Sequence, residues 1–185
     1  MIQETLDELH SAIAKAKEAL QRELAKIRTG RANPDILDSV RAEYYGSMTP
    51  LKQLASISVP EPRMLLLKPF DRSSIKAIES AIAQANLGLN PSNDGEVIRL
   101  PMPALTEERR KELAKVARAK GEDCKVAIRA ARHEARDMLD ALQKDGAAGE
   151  DEVDRARKEV EEIVKAANAD VDGLVAKKAE AIMAV

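Results

Sequence analysis

The 185-residue sequence predicts an α+β fold in which a long, antiparallel three-helix bundle is interrupted by a small inserted α+β domain. Three observations predict it. All eight prolines lie between Pro34 and Pro103, and all three aromatic residues, Tyr44, Tyr45 and Phe70, lie in the same stretch. The flanking segments contain neither, and carry apolar residues at heptad-like spacing instead. Proline breaks helix interiors, so its absence from 1–30 and 105–185 permits long helices there. The chain therefore divides into a discontinuous bundle domain, 1–30 with 105–185, and an inserted domain, 31–104.

The first helix is read from Leu6, Ile13, Leu20 and Ile27, which recur every seven residues, with Ile2, Leu9 and Ala16 at the alternate seam position. Such spacing lines one narrow stripe of a helix with apolar side chains. The stripe ends in "KIRTGRANP" (26–34), where Gly30 fits a helix C-terminal cap requiring a left-handed backbone.

The inserted domain follows. "DSVRAEYYGSMTPLKQLASISV" combines β-branched and aromatic residues with turn signals at Gly46 and Pro50. "RMLLLKPF" and "GEVIRLP" read as further short strands. Between them Asp71 caps a helix with Ile75, Ile78 and Ile82 on one face and Gly88 as its stop. The return connection, "RLPMPAL", supplies Pro101 and Pro103. Glycine on one crossing and prolines on the other predict a hinge at Gly30, Arg31, Pro101 and Pro103.

The second helix opens at Thr106 with Glu107 and Glu108 in its first turn, where the helix dipole favours anions. Cys124, Ile128, Ala131, Ala135, Met138 and Leu142 form its seam. "KDGAAGEDE" (144–152) turns the chain back. In the third helix Val153, Ala156, Val160, Ile163 and Ala167 step 3-4-3-4, with Val171, Leu174 and Ile182 beyond. Three stripes can bury one another, and a three-helix bundle is the simplest arrangement that does so. With aromatics at 2% of the chain, its core is aliphatic and rich in alanine.

Composition excludes several classes of function. The net charge of −2 predicts no general affinity for polyanions, so any basic surface is local. Cys124 is the lone cysteine, which rules out an intrachain disulfide and reads as a buried structural thiol on the seam. The start "MIQETLDELH" has neither the basic nor the apolar region of a secretory signal. No apolar run approaches the roughly 18 residues of a membrane span. His10 and His133 have no partners at metal-ligand spacing, and there is no glycine-rich phosphate loop. No catalytic constellation, metal site or cofactor site is expected, and the chain does not read as an enzyme.

What remains is a basic stripe. From Arg109 to Arg136 there are ten Lys/Arg against four Asp/Glu. Arg118, Lys125, Arg129, Arg132 and Arg136 step 7-4-3-4, and from Lys125 onward each follows a seam residue by one. Arginine on a rigid helix suits phosphate, because its planar fork donates two hydrogen bonds. The residues alone leave a second reading open: "GEDEVDRARKEVEE" opens the third helix, and its acids can pair with Arg132 and Arg136. Arg28 and Arg31 likewise suit either phosphate or helix C-terminal carbonyls. The shortage of aromatic platforms argues against stacking on single-stranded RNA.

"KIRTGRANP", "EYYGSMTPLKQLASISV", "FDRSSIKAIESAI", "LGLNPSNDGEVIRLPMPALTEERRKEL" and "VAIRAARHEARD" together resemble the bacterial ribosome recycling factor family, in order and over essentially the whole chain. The resemblance implies an L-shaped molecule, a three-helix bundle joined through a flexible hinge to a β/α/β domain. It implies a monomeric, cytoplasmic translation factor that performs no chemistry itself. Such a factor binds large-subunit rRNA of the post-termination ribosome and, with elongation factor G and GTP, splits the subunits. By motif, Arg28 and Arg31 match the family's basic corner, and Arg129 and Arg132 its ribosome-binding helix arginines. Where the family often has asparagine after Arg129 and a second arginine after Arg132, this chain has Ala130 and His133, with Arg136 nearby as a further charge. The alternative outside this family is a cytosolic coiled-coil adaptor carrying an inserted protein-interaction domain, which would use the arginines for internal pairing.

Overall fold

The computed structural model describes residues 1–184. The chain forms two units, one from Met1–Thr29 with Glu107–Ala184 and the other from Gly30–Thr106.

The first unit contains α1 (Ile2–Ala25), α4 (Glu107–Lys144) and α5 (Glu150–Met183). At about 1.5 Å per residue, α4 and α5 run about 57 and 51 Å. Glycine sets the tight reversal between them. Gly146 adopts φ +69°, its N–H donates to the Gln143 carbonyl, and the Ala147 N–H donates to that of Leu142. This is the paired bonding that satisfies the last carbonyls of a helix ended by a left-handed residue. The Glu152 carboxylate then accepts the Gly149 N–H at 3.1 Å, securing the first turn of α5.

The buried residues follow the seams with one systematic drift. Leu6, Leu9, Ile13, Leu20 and Ile27 are buried in α1 and just beyond it, and Cys124, Ile128, Ala131 and Ala135 in α4. In α4 the next buried residue is Leu139 rather than Met138, and in α5 it is Val164 rather than Ile163. The cause is helical pitch. A strict heptad advances 3.5 residues per turn, so a stripe on a 3.6-residue helix falls behind. An occasional second step of four restores it.

Gly121 also lies on the buried face of α4, unnoticed in the seam pattern. A Cβ there would stand 2.5 Å from Val175 Cγ2. A glycine inside a helix costs about 1 kcal/mol relative to alanine; here it admits the stiff, β-branched Val175 of α5.

In the second unit, β1 (Arg41–Tyr44) and β2 (Ser47–Pro50) form a hairpin, followed by the single turn α2 (Leu51–Leu54). A four-stranded antiparallel sheet runs in the order β3-β4-β6-β5, from Ala55–Glu61, Met64–Pro69, Ile98–Pro101 and Ser92–Asn93. Leu65 faces Leu100 and Leu67 faces Ile98 across β4 and β6, and all four are fully buried. Helix α3 (Ile75–Gln84) contributes Ile78 and Ile82 to the same core. Edge strand β3 is mostly exposed and carries Pro60, which discourages further strand pairing.

Two expected helix ends fall elsewhere. Helix α1 stops at Ala25 with Lys26 as its cap, and the Ile27 N–H bonds back to Leu24, so Gly30, at φ +72°, serves the connection and not the cap. Likewise α3 ends at Gln84, with Ala85 as cap and Asn86 in the left-handed conformation (φ +51°) ahead of Gly88. Asparagine tolerates that conformation better than other side chains with a Cβ. Asp71 does cap, but it caps a short 3-10 turn, Arg72–Ser74, that leads into α3. Its carboxylate accepts bonds from the Ser73 hydroxyl, the Ser73 N–H and the Tyr44 hydroxyl, which hold it below its ordinary pKa.

Replacing Gly121 with valine is expected to lower stability by roughly 1–3 kcal/mol through overpacking, a drop of several degrees in melting temperature. A variant melting with the parent would show that the α4–α5 spacing is not set by this residue.

Candidate nucleic-acid interface

Lys125, Arg129, Arg132 and Arg136 lie along the edge of α4 with α5. Each follows a buried residue by one, so its aliphatic stem covers the core margin while its charged end reaches solvent. Lys125 pairs with Asp172 at 2.6 Å, and this bond holds the ammonium above its ordinary pKa. Arg132 Nε donates to Glu161 Oε1 at 2.9 Å, its Nη2 stands 2.9 Å from the same oxygen as an ion pair, and Arg136 Nη1 stands 3.6 Å from it. Arg129 is exposed and, among the described residues, has no ion-pair or hydrogen-bond partner.

Antiparallel register explains this difference. Residues 125 and 132 of α4 lie level with 172 and 161 of α5, so Arg129 comes level with 165–168. There α5 carries Lys165 and Asn168 and no acid. Arg132, Glu161, Lys165, Asn168 and Asp172 line a shallow groove, and the Asn168 side-chain oxygen is buried without a partner among the described residues.

The structure therefore gathers Arg129, Arg132 and Arg136 on one edge, and it shows the internal acid pairing for two of them. Arg28 and Arg31, both exposed, fall in different units. Of the hinge residues, Pro101 lies in β6 opposite Met64. That corrects its expected place in the connection: a proline is tolerated at a strand end, where its missing N–H costs no ladder bond. Pro103 lies beyond the strand.

Sequence reading missed Arg63. Pro62 and Arg63 form the two-residue turn between β3 and β4. The Ala32 N–H donates to the Pro62 carbonyl and the Met102 N–H to the Arg63 carbonyl, both at 2.8 Å. The Arg63 guanidinium also donates to the Met102 carbonyl at 3.1 Å. Both ends of the inserted unit are thus tied to one hairpin turn. No local pattern announces this, because the partners lie some thirty to forty residues away in either direction.

The family model described as "Ribosome recycling factor" matches residues 20–183. The chain belongs to the ribosome recycling factor family. Over all 185 residues, and over the full length of each relative, it is 50% identical to the ribosome-recycling factor of Sorangium cellulosum and 51% identical to that of Corynebacterium glutamicum (strain R). Among solved structures it is similar to a solution structure of the ribosome recycling factor, with a TM-score of 0.73 and 35% identity over 100% of this chain and 98% of that one. It is also similar to a chain from models of the T. thermophilus ribosome recycling factor and the E. coli elongation factor G bound to the E. coli post-termination complex. There the TM-score is 0.63 and the identity 42%, over the whole of both chains. Recycling factors are translation factors, and the long helices and small sheet unit described above are those of the family.

Substituting alanine for Arg63 is expected to cost about 1 kcal/mol, the worth of one partly exposed hydrogen bond, and to speed amide exchange at Ala32 and Met102. Unchanged protection at both amides would show that the backbone bonds alone hold the turn.

Proposed function

We propose that this chain is a ribosome recycling factor: it binds the post-termination ribosome and, with elongation factor G and GTP, splits the subunits so that mRNA and tRNA are released. The observation that carries the reading is its match to curated recycling factors along the whole of both chains at about 50% identity. The work is cytoplasmic, as translation is, and non-enzymatic: GTP hydrolysis belongs to elongation factor G, and this chain contributes shape and charge.

Large-subunit rRNA is met by the α4 edge through Arg129, Arg132 and Arg136, with Arg28 and Arg31 as further phosphate contacts. Arg129 supports this role, because it is held on a rigid helix with no internal acid at its level. Phosphate contacts of this kind position a protein on folded RNA without reading sequence.

The hinge comprises Gly30, Arg31 and Pro103. The chain is fastened to the second unit at Ala32 on the way in and at Met102 on the way out, which leaves these residues outside both anchors. Gly30, at φ +72°, supplies a backbone conformation that most residues resist.

Two measurements test these assignments. Arg132→Ala is expected to weaken co-sedimentation with vacant large subunits, to flatten the salt dependence by about one phosphate contact, and to leave the fold intact. Binding as tight as the parent at low and moderate salt would remove Arg132 from the interface. For the hinge, one label in each unit is expected to report a broad distance distribution in solution that narrows on the ribosome. A single narrow distance, unchanged by the ribosome, would count against it.

A further inference from the structure

In the free protein two guanidinium groups converge on a single carboxylate oxygen. Glu161 Oε1 accepts from Nε of Arg132 at 2.9 Å, with Nη2 of the same guanidinium also 2.9 Å away, while Arg136 Nη1 approaches to 3.6 Å. The three side chains are 29%, 46% and 46% exposed, so the cluster is open to solvent and to a large ligand. A phosphate oxygen makes the same demand on these donors as a carboxylate oxygen: one anionic atom reached by several N–H groups. The place such an atom would occupy is therefore already filled, by a side chain of the same protein.

We infer that Glu161 acts as a phosphate surrogate. It holds Arg132 and Arg136 in a binding-ready geometry in the free factor, and it must withdraw when an RNA backbone arrives. The inference rests on the assignment of Arg132 to the RNA-facing edge.

Two effects oppose each other. Pre-orienting two flexible arginines lowers the entropy lost on binding. Competing for them raises the dissociation constant, since RNA must replace an existing partner. Exposed ion pairs shift an equilibrium by at most about fivefold, so the competing pair can be displaced, and its removal is felt as a modest gain. A partly exposed pair orders an arginine only in part, so the entropy saved is smaller than the cost of displacing the pair, and competition outweighs pre-orientation. Glu161 therefore limits affinity for the ribosome and keeps this edge from adhering to other polyanions. Arg129, with no acid at its level, stays available for first contact. Lys165, four residues after Glu161, lines the same groove and attracts the entering phosphate.

The test measures binding of the full-length protein to purified vacant large subunits over a salt series. Glu161→Gln is expected to tighten binding by about two- to fivefold at low salt. Glu162→Gln makes the same change of charge one residue on, at a side chain with no ion pair among the described residues, and is expected to shift affinity by less than about twofold. In an Arg132→Ala, Arg136→Ala background the gain from Glu161→Gln should vanish, because the double-mutant cycle isolates its action through those arginines. If Arg132→Ala weakens binding but Glu161→Gln leaves it unchanged or weaker, the surrogate role is overturned while the interface stands. Equal gains from Glu161→Gln and Glu162→Gln, or a gain that survives loss of both arginines, would also overturn it in favour of a general charge effect. If Arg132→Ala binds like the parent, both the interface assignment and this inference fall.

Discussion

An inserted unit must return the chain to where it left, and much of this structure follows from that requirement. Helix α1 packs beside α4 although the whole of the second unit separates them in sequence. In the first unit the last turns of α1 pack against the first half of α4, where Glu23 approaches Lys120 and Ile27 is buried in the shared core. In the second unit, Ala32 and Met102 meet at the Pro62–Arg63 turn. Three hydrogen bonds, two through backbone and one through a guanidinium, there close a loop of about seventy residues. The entropy of closing it grows only slowly with its length. A small number of well-placed bonds is enough once the sheet itself is formed.

The bundle was legible because its cause is periodic. Apolar residues at steps of three and four line one face of a helix, which is buried most simply against like faces, and the middle segment's prolines and turn residues excluded a continuation of it. The seam failed at Met138 and Ile163, where the true pitch departs from seven, and at Gly121, which has no side chain to enter an apolar count. Stops assigned to glycine at positions 30 and 88 fell elsewhere because one helix closes on Lys26 and the other uses Asn86. For the candidate interface the sequence yielded the arginines and not their partners. The pairing of Arg132 with Glu161, and the absence of an acid level with Arg129, depend on the register between α4 and α5. Register is a tertiary quantity, and no spacing within either helix encodes it.

The charged edge shows why net charge says little here. A chain at −2 carries a cationic stripe because the compensating acids lie on its neighbour, close enough to pair with part of it. The same acids fit α5 against α4 and reduce the field that α4 presents. An edge of this kind is stable when alone and still able to exchange partners, since no ion in it is fully buried and none incurs the full cost of desolvation.

The confinement of aromatic residues to the second unit has an optical consequence. The chain has no tryptophan, and its two tyrosines, Tyr44 and Tyr45, sit side by side with ring centroids 4.5 Å apart at the end of one hairpin. The bundle is consequently dark in the near ultraviolet. Tyrosine absorbance and emission observe the small unit alone, through two phenols of which Tyr44 donates its hydroxyl to Asp71 and Tyr45 is exposed. The far-ultraviolet helical signal, by contrast, is dominated by three long helices of the other unit. Two ordinary spectra of one unlabelled sample thus follow two parts of the molecule separately.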